Sequence, residues 1–144
     1  MTKSPLRMTA TVGLFVLLAG LTVSAQSGTL RGYVPFDFVV GTTTMEAGTY
    51  SIALSGISGT SLAIKNGSHA VAILSSGRKS DLSDKPTRLV FHRYGQRYFL
   101  REVWFAGDRG QTLPELHEER VLIDEQWRIA GSGPVTVAVM ASAR

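Results

Sequence analysis

Residues 90–105 read VFHRYGQRYFLREVWF, and no other stretch of the chain is as dense in chemistry. Two runs rich in aromatic and β-branched residues, RLVFHRY and RYFLREVWF, flank Gly95-Gln96. Such residues suit a pleated, half-buried surface. A glycine followed by almost any residue suits a two-residue type II′ turn. The stretch therefore predicts a β-hairpin. Its register sets Arg93 opposite Tyr98, Phe91 opposite Leu100 and Leu89 opposite Glu102 on one face. On the other face Tyr94 meets Arg97, His92 meets Phe99 and Val90 meets Arg101. The core side is assigned to Leu89, Phe91, Leu100 and Trp104. Apolar side chains remain on the second face, so a later helix or a partner must cover it.

Strand signals continue on both sides of the hairpin. YVPFDFVV, from Tyr33 to Val40, reads as a first strand, which Pro35 confines to an edge or an irregular start. GTTTMEAGTY reads as a turn pivoting on Gly48. Tyr50, Ile52 and Leu54 then alternate with Ser51, Ala53 and Ser55, the period of a half-buried strand. TSLAIKNG and SHAVAILSSG read as a hairpin joined at Asn66-Gly67. RKSDLSDKP reads as an exposed loop, and AGDRGQ as another. LPELHEERVLIDEQW is the helix candidate. Pro114 suits a first turn, and Glu115, Glu118 and Glu119 complement the dipole at that end. Leu116, Leu122, Ile123 and Trp127 supply a partial apolar stripe. VTVAVMASAR reads as a final strand. The sum is a mainly β fold, a single-domain β-sandwich or small β-barrel of about seven strands with one helix on the C-terminal side.

The chain has 144 residues, enough for one domain. Its first 25 residues read differently from the rest. Lys3 and Arg7 precede the apolar run TVGLFVLLAGLTV, and VSA follows with Val23 and Ala25 at the cleavage positions. That order is the pattern of a secretory signal peptide, because the run is shorter than the roughly 20 residues that span a bilayer. Residues 26–144 are then the mature domain, periplasmic or extracellular, with no stable membrane insertion. The chain has no cysteine, which removes disulfides, thiol nucleophiles and cysteine-based zinc sites.

The segments VPFDFVVG…MEAGTYSI and RLVFHRYGQRYFLREVWFAGDRGQTLPELHEER carry a resemblance. They are similar to a family of small, signal-peptide-bearing exported proteins of acidobacterial-type bacteria, with motifs V-P-F-D-F-x-V-G, A-G-x-Y, L-V-F-x-x-Y-G-x-x-Y-F-L and L-P-x-x-x-x-E-R. The match runs from about Val34 to Arg120. Glu46 stands where that family has a proline before Ala47-Gly48, and Leu116-His117 stands near its common serine. The resemblance implies one exported β-rich domain and carries no catalytic residue across.

The side chains themselves exclude several functions. Aromatics beside arginines can bind nucleic acid by stacking and charge. However, the net charge of +4 falls to +2 once Lys3 and Arg7 leave, too little for a polyanion surface. No nucleic-acid partner is expected. His69, His92 and His117 are too scattered for a short metal motif, and HEER lacks the second histidine of H-E-x-x-H. No metal or cofactor is expected. No G-x-S-x-G elbow is present, and the neighbours Glu118 and Glu119, or Asp124 and Glu125, read as solvated helix faces. No catalytic residue is assigned. Tyr50, Phe91, His92, Tyr98 and Trp104 remain as interaction- or ligand-facing candidates. They would line a barrel interior or a contact surface, with the ordinary alternative that they form the core. The expected role is a non-catalytic envelope or extracellular module that binds another protein or its own copy. A small barrel carrying an apolar ligand and an unrecognised enzyme are the alternatives.

Overall fold

The computed structural model describes residues 28–67, 69–80, 86–106 and 108–143. The expected signal peptide and residues 81–85 of the polar loop lie outside these. Twelve strand segments and one helix follow in order: β1 Thr29–Val34, β2 Phe38–Val40, β3 Thr43–Met45, β4 Gly48–Ser55, β5 Ser61–Asn66, β6 His69–Leu74, β7 Ser76–Lys79, β8 Arg88–Tyr94, β9 Arg97–Trp104, β10 Arg109–Thr112, α1 His117–Ala130, β11 Val135–Met140 and β12 Ser142–Ala143. One sheet has the order β12-β1-β4-β5-β6 and the other β11-β8-β9-β10-β7. A short β2–β3 hairpin joins the second sheet through a parallel contact between Val39 and Phe99.

The sheets face each other across one apolar core. Leu30, Tyr50, Ile52, Leu62 and Ile64 enter it from the first sheet, and Leu89, Phe91, Leu100 and Val103 from the second. Phe38 wedges between them, edge-on to both Tyr50 and Phe91. Two strands bend from one sheet into the other: β6 becomes β7 at Ser75, and β11 becomes β12 at Ala141. Such corners are how strands switch sheets in crossed sandwiches. The ladder breaks at both bends, so the architecture is a sandwich and not a closed barrel.

The central hairpin is present. Gly95 has φ 61° and Gln96 does not share its positive φ, as a type II′ turn requires. Near the turn Arg93 pairs with Tyr98 and Phe91 with Leu100, as the sequence predicts. Beyond that the register slips by one. Val90 pairs with Glu102, not Arg101, and Leu89 with Val103, not Glu102. Arg101 is the extra residue of a β-bulge, which turns every later side chain of β9 to the opposite face. Val103 thus fills the core at 0% exposure. Trp104, expected in the core, lies on the outer face opposite Arg88. It is still only 4% exposed. The Arg88 guanidinium sits 5.0 Å above the ring, and the backbone of Gly110 lies against it so closely that a Cβ there would be 2.6 Å away.

Other boundaries moved for local reasons. The expected strand Tyr33–Val40 is two strands, β1 and β2, because the chain breaks at Pro35. The turn GTTTMEAGTY contains β3, and the loop AGDRGQ yields the start of β10. SHAVAILSSG is divided between β6 and β7 by the corner at Ser75, and RKSDLSDKP begins inside β7. The β5–β6 hairpin closes on Asn66 and His69, one residue later than Asn66-Gly67 predicts, with Gly67 at φ 54° opening its turn. The strand count therefore exceeds seven because continuous runs are cut at corners and at proline.

Candidate functional site

The helix lies on the outer face of the central hairpin. Leu122 and Ile123 pack on Val39, Tyr94 and Phe99 in a second, smaller apolar cluster. This contact is the cover that the two-faced hairpin demanded. The helix ends at Gly131, whose φ of 63° lets its N–H reach back to the Trp127 carbonyl. Its start is later than Pro114: Leu116 is the extended N-cap and His117 the first helical residue. Leu113 is buried in the main core, and its N–H donates to the Arg101 carbonyl at 2.8 Å. Those two ties hold the segment before the helix extended.

Under the first turn of α1 lies a buried ionic cluster. Glu119 is 3% exposed. Its Oε1 accepts a hydrogen bond from the Tyr94 hydroxyl at 3.1 Å, and its Oε2 one from Arg101 Nη1 at 3.4 Å. Arg101 is also buried, and its Nη2 reaches Glu115 at 3.4 Å. His92 Nδ1 stands 3.9 Å from Glu119 Oε1. His92 Nδ1 and Arg101 Nε are buried without a hydrogen-bond partner among the described residues. Arg101, the bulged residue, keeps the outer face that it shares with His92 and Tyr94, and so lies beneath the helix.

Burial sets the electrostatics. It raises the Glu119 pKa above the ordinary carboxylate value, against the opposing charge of Arg101 and the Tyr94 hydrogen bond. It also raises the Tyr94 phenol, with the Glu119 charge and hydrogen bond adding to the effect. His92 is lowered, first by burial and then by the Arg101 charge. A carboxylate and an imidazole with displaced pKa values are the parts of an acid–base pair. Here both lie beneath a docked helix, and Glu119 is nearly closed off from solvent. The arrangement ties α1 to the sheet.

The five sequence candidates are dispersed. Tyr50 and Phe91 are core residues, 1% and 0% exposed. The Tyr50 hydroxyl donates to the Glu46 carbonyl at 2.5 Å. Tyr98 stacks on Phe36 at 3.8 Å at the turn end of the hairpin. Trp104 is buried on the outer face, its Nε1 donating to Glu102 at 2.7 Å, and Glu102 also pairs with Arg78. Only His92 belongs to the ionic cluster. Glu119, Tyr94, Arg101 and Glu115 were not singled out as a group, and Glu119 was read as solvated. Its spacing from Leu122 and Ile123, three and four residues, is the signal that puts it on the packed face. Glu118, one residue away, is exposed and pairs with Arg97 at 3.6 Å.

His69 is on β6, His92 on β8 and His117 opens α1. Among the described residues no three His, Cys, Asp or Glu side chains converge as a metal site. Among the same residues no helix is long and apolar enough to cross a membrane. No protein-family model, curated protein or solved structure matches the chain.

Proposed function

We propose that the chain is an exported, non-catalytic β-domain that works in the envelope or outside the cell as a protein-interaction or self-association module. One observation carries this reading: where the unused bonding capacity lies. The space between the sheets is filled by side chains such as Tyr50, Phe38, Phe91 and Leu62, each at most 2% exposed. The buried ionic cluster is engaged in holding α1. By contrast, β6 and β11 each border only one neighbour, carry no Lys, Arg, Asp or Glu, and leave Leu74 73% and Met140 63% exposed. Uncharged strand edges with free backbone groups are what chains use to pair with other chains. The resemblance to small exported β-domains and the signal-peptide pattern support the location.

One observation favours a second reading, an enzyme: His92 and Glu119 lie 3.9 Å apart with opposed pKa shifts. It would need α1 to lift for substrate to enter. The filled interior counts against a carrier of an apolar ligand, which needs a cavity of roughly 300 Å³ or more.

Native mass spectrometry of the protein recovered from the envelope of its own host tests the proposal. The expected species is a homo-oligomer or a stoichiometric complex with another protein. A monomer carrying a small extra mass that disappears on denaturation would overturn it in favour of a carrier.

A further inference from the structure

A gap in the wall of the sandwich separates two free strand edges. β3 pairs only with β2, and β6 only with β5. A groove runs between them in two adjacent parts that share Thr43 and Val71. A cavity of about 240 Å³ is lined by Thr43, Met45 and Tyr50 on one side and by His69 and Val71 on the other. The second part, about 340 Å³, continues from Val40 and Thr43 opposite Val71 to Leu74, where Pro114 and Leu116 close it. As β3 is followed forward, β6 is followed backward, so the two edges run antiparallel across the groove.

The backbone groups that face this groove can be identified. The Ser75 N–H donates to the Thr60 carbonyl at 2.9 Å. In an antiparallel ladder, hydrogen-bonded and non-bonded pairs alternate. The β5–β6 register therefore turns the N–H and C=O of His69, Val71 and Ile73 toward β5, and those of Ala70, Ala72 and Leu74 outward. In the β2–β3 hairpin, Val40 and Thr43 close a two-residue turn, so Thr44 is the residue that faces outward. Among the described residues none of these four has a hydrogen-bond partner for its backbone.

The edges lack the usual protections. β6 has no lysine, no proline and no bulge. Val71, Ile73 and Met45 line the inner side and Leu74 lies exposed on the outer, so a strand placed here meets apolar surface on both faces. Glu46 is the only carboxylate on the lining, at the end where β3 passes toward β4.

We infer that this gap is a strand-addition site for an extended peptide, apolar along its length and carrying a lysine or arginine at the end beside Glu46. The guest hydrogen-bonds to Ala70, Ala72 and Leu74 on one side and to Thr44 on the other, and joins β6 to β3. Backbone bonds supply affinity and alternate side chains supply selectivity, as in other strand-addition sites. The site rests on the reading of the chain as an interaction domain, and names its surface and the chemistry of its partner.

The test begins with random hexapeptides displayed on phage, panned against the full chain exported by its host and purified. The enriched peptides are expected to alternate apolar residues and to end in a lysine or arginine. A synthetic copy of the consensus peptide should slow amide exchange at Thr44, Ala70, Ala72 and Leu74 by about tenfold or more, because each outward group gains a bond. Ala72→Pro removes one outward N–H and leaves the β5 ladder intact, so it should weaken that peptide by about tenfold. Glu46→Gln should weaken it by about threefold. Should Ala72→Pro fail to fold, the exchange pattern of the unmodified chain decides alone. No enriched peptide, binding that leaves the four amides unprotected, or binding indifferent to a folded Ala72→Pro chain overturns the inference. Protection of the same amides that rises with protein concentration alone also overturns it, by assigning the gap to a second copy. A natural partner that co-purifies equally with wild type and Ala72→Pro would remove the groove while leaving the interaction domain standing.

Discussion

Arg101→Met is the sharpest test of the cluster beneath α1. It keeps an unbranched apolar stem and removes the charged guanidinium. Glu119, 3% exposed, then retains the Tyr94 hydroxyl as its hydrogen-bond donor, with His92 Nδ1 3.9 Å away. Leaving a buried charge uncompensated typically costs about 3–5 kcal/mol. The Arg101–Glu119 contact is long at 3.4 Å and Tyr94 still donates, so the lower end, about 3 kcal/mol, is expected at pH 7. Acidification should recover part of the loss, because a protonated Glu119 needs no cation. Glu119→Leu alone strands Arg101 with Glu115 and should cost about 2 kcal/mol. The double variant replaces the pair with apolar groups and should lie within about 1–2 kcal/mol of wild type, which makes the coupling about 3 kcal/mol or more. Urea denaturation of the four chains, at pH 7 and near pH 4.5, measures every term. A single-variant loss below about 1 kcal/mol, or additive losses in the double variant, would refute a buried ionic tie.

Four further outcomes follow from the geometry. Gly110→Ala drives a methyl to within 2.6 Å of the Trp104 ring and should cost about 1–3 kcal/mol, yet be nearly neutral in a Trp104→Ala background, as thermal melts of the four chains would show. Trp104→Ala alone should cost about 3–5 kcal/mol by the same assay, although the ring lies outside the main core. The His92 pKa lies below 6.5, so its contribution is present above pH 6.5 and is lost as pH falls through the folded value. A denaturation series from about pH 8 to 5 should therefore slope less in His92→Gln than in wild type. Gly131→Ala forces an L side chain to φ 63° at the helix end and should lower stability by about 1 kcal/mol in the same urea assay, with the helical circular dichroism retained.

The hairpin was legible because its turn chemistry and its alternation agree, and both act within a few residues. The bulge was not, since one extra residue leaves no mark on local propensity. It is specified from a distance, by Arg101 finding Glu119 on α1 and Glu115 just before it. The helix was legible as an element, but its start was not: Leu113 is held by the core and by the Arg101 carbonyl. β10 was read as a loop because RGQT has little strand preference. It forms because β7 and β9 offer it ladders on both sides and because only a glycine at 110 fits against Trp104. For the site, the helix spacing that places Glu119 with Leu122 and Ile123 was readable. His92, Tyr94 and Arg101 were readable as sharing the second face of the hairpin; that the first turn of α1 docks over them was not, because no local pattern fixes where a helix lands.

The bulge also bears on where a partner can bind. With Arg101 turned outward, the face of β8 and β9 beneath the first turns of α1 is closed by an ionic tie and by Leu122 and Ile123. What bonding capacity remains there, His92 Nδ1 and Arg101 Nε, is buried under the helix. The same slip sends Trp104 outward, where Arg88 and Gly110 cover it, so the most aromatic part of the chain is internally consumed. The β3–β6 side has no such cover. Apart from Glu46 its side chains carry no carboxylate and are mostly apolar, and its free capacity is in the backbone. A surface of that kind discriminates chiefly by conformation, with Glu46 adding a preference for a cation at one end. It selects a chain already extended and rejects a helix or a folded domain presenting only side chains. The residues most conspicuous in the sequence therefore build and lock the scaffold, and the strand addition proposed above assigns recognition to a stretch, His69–Leu74, whose composition gives no sign of it.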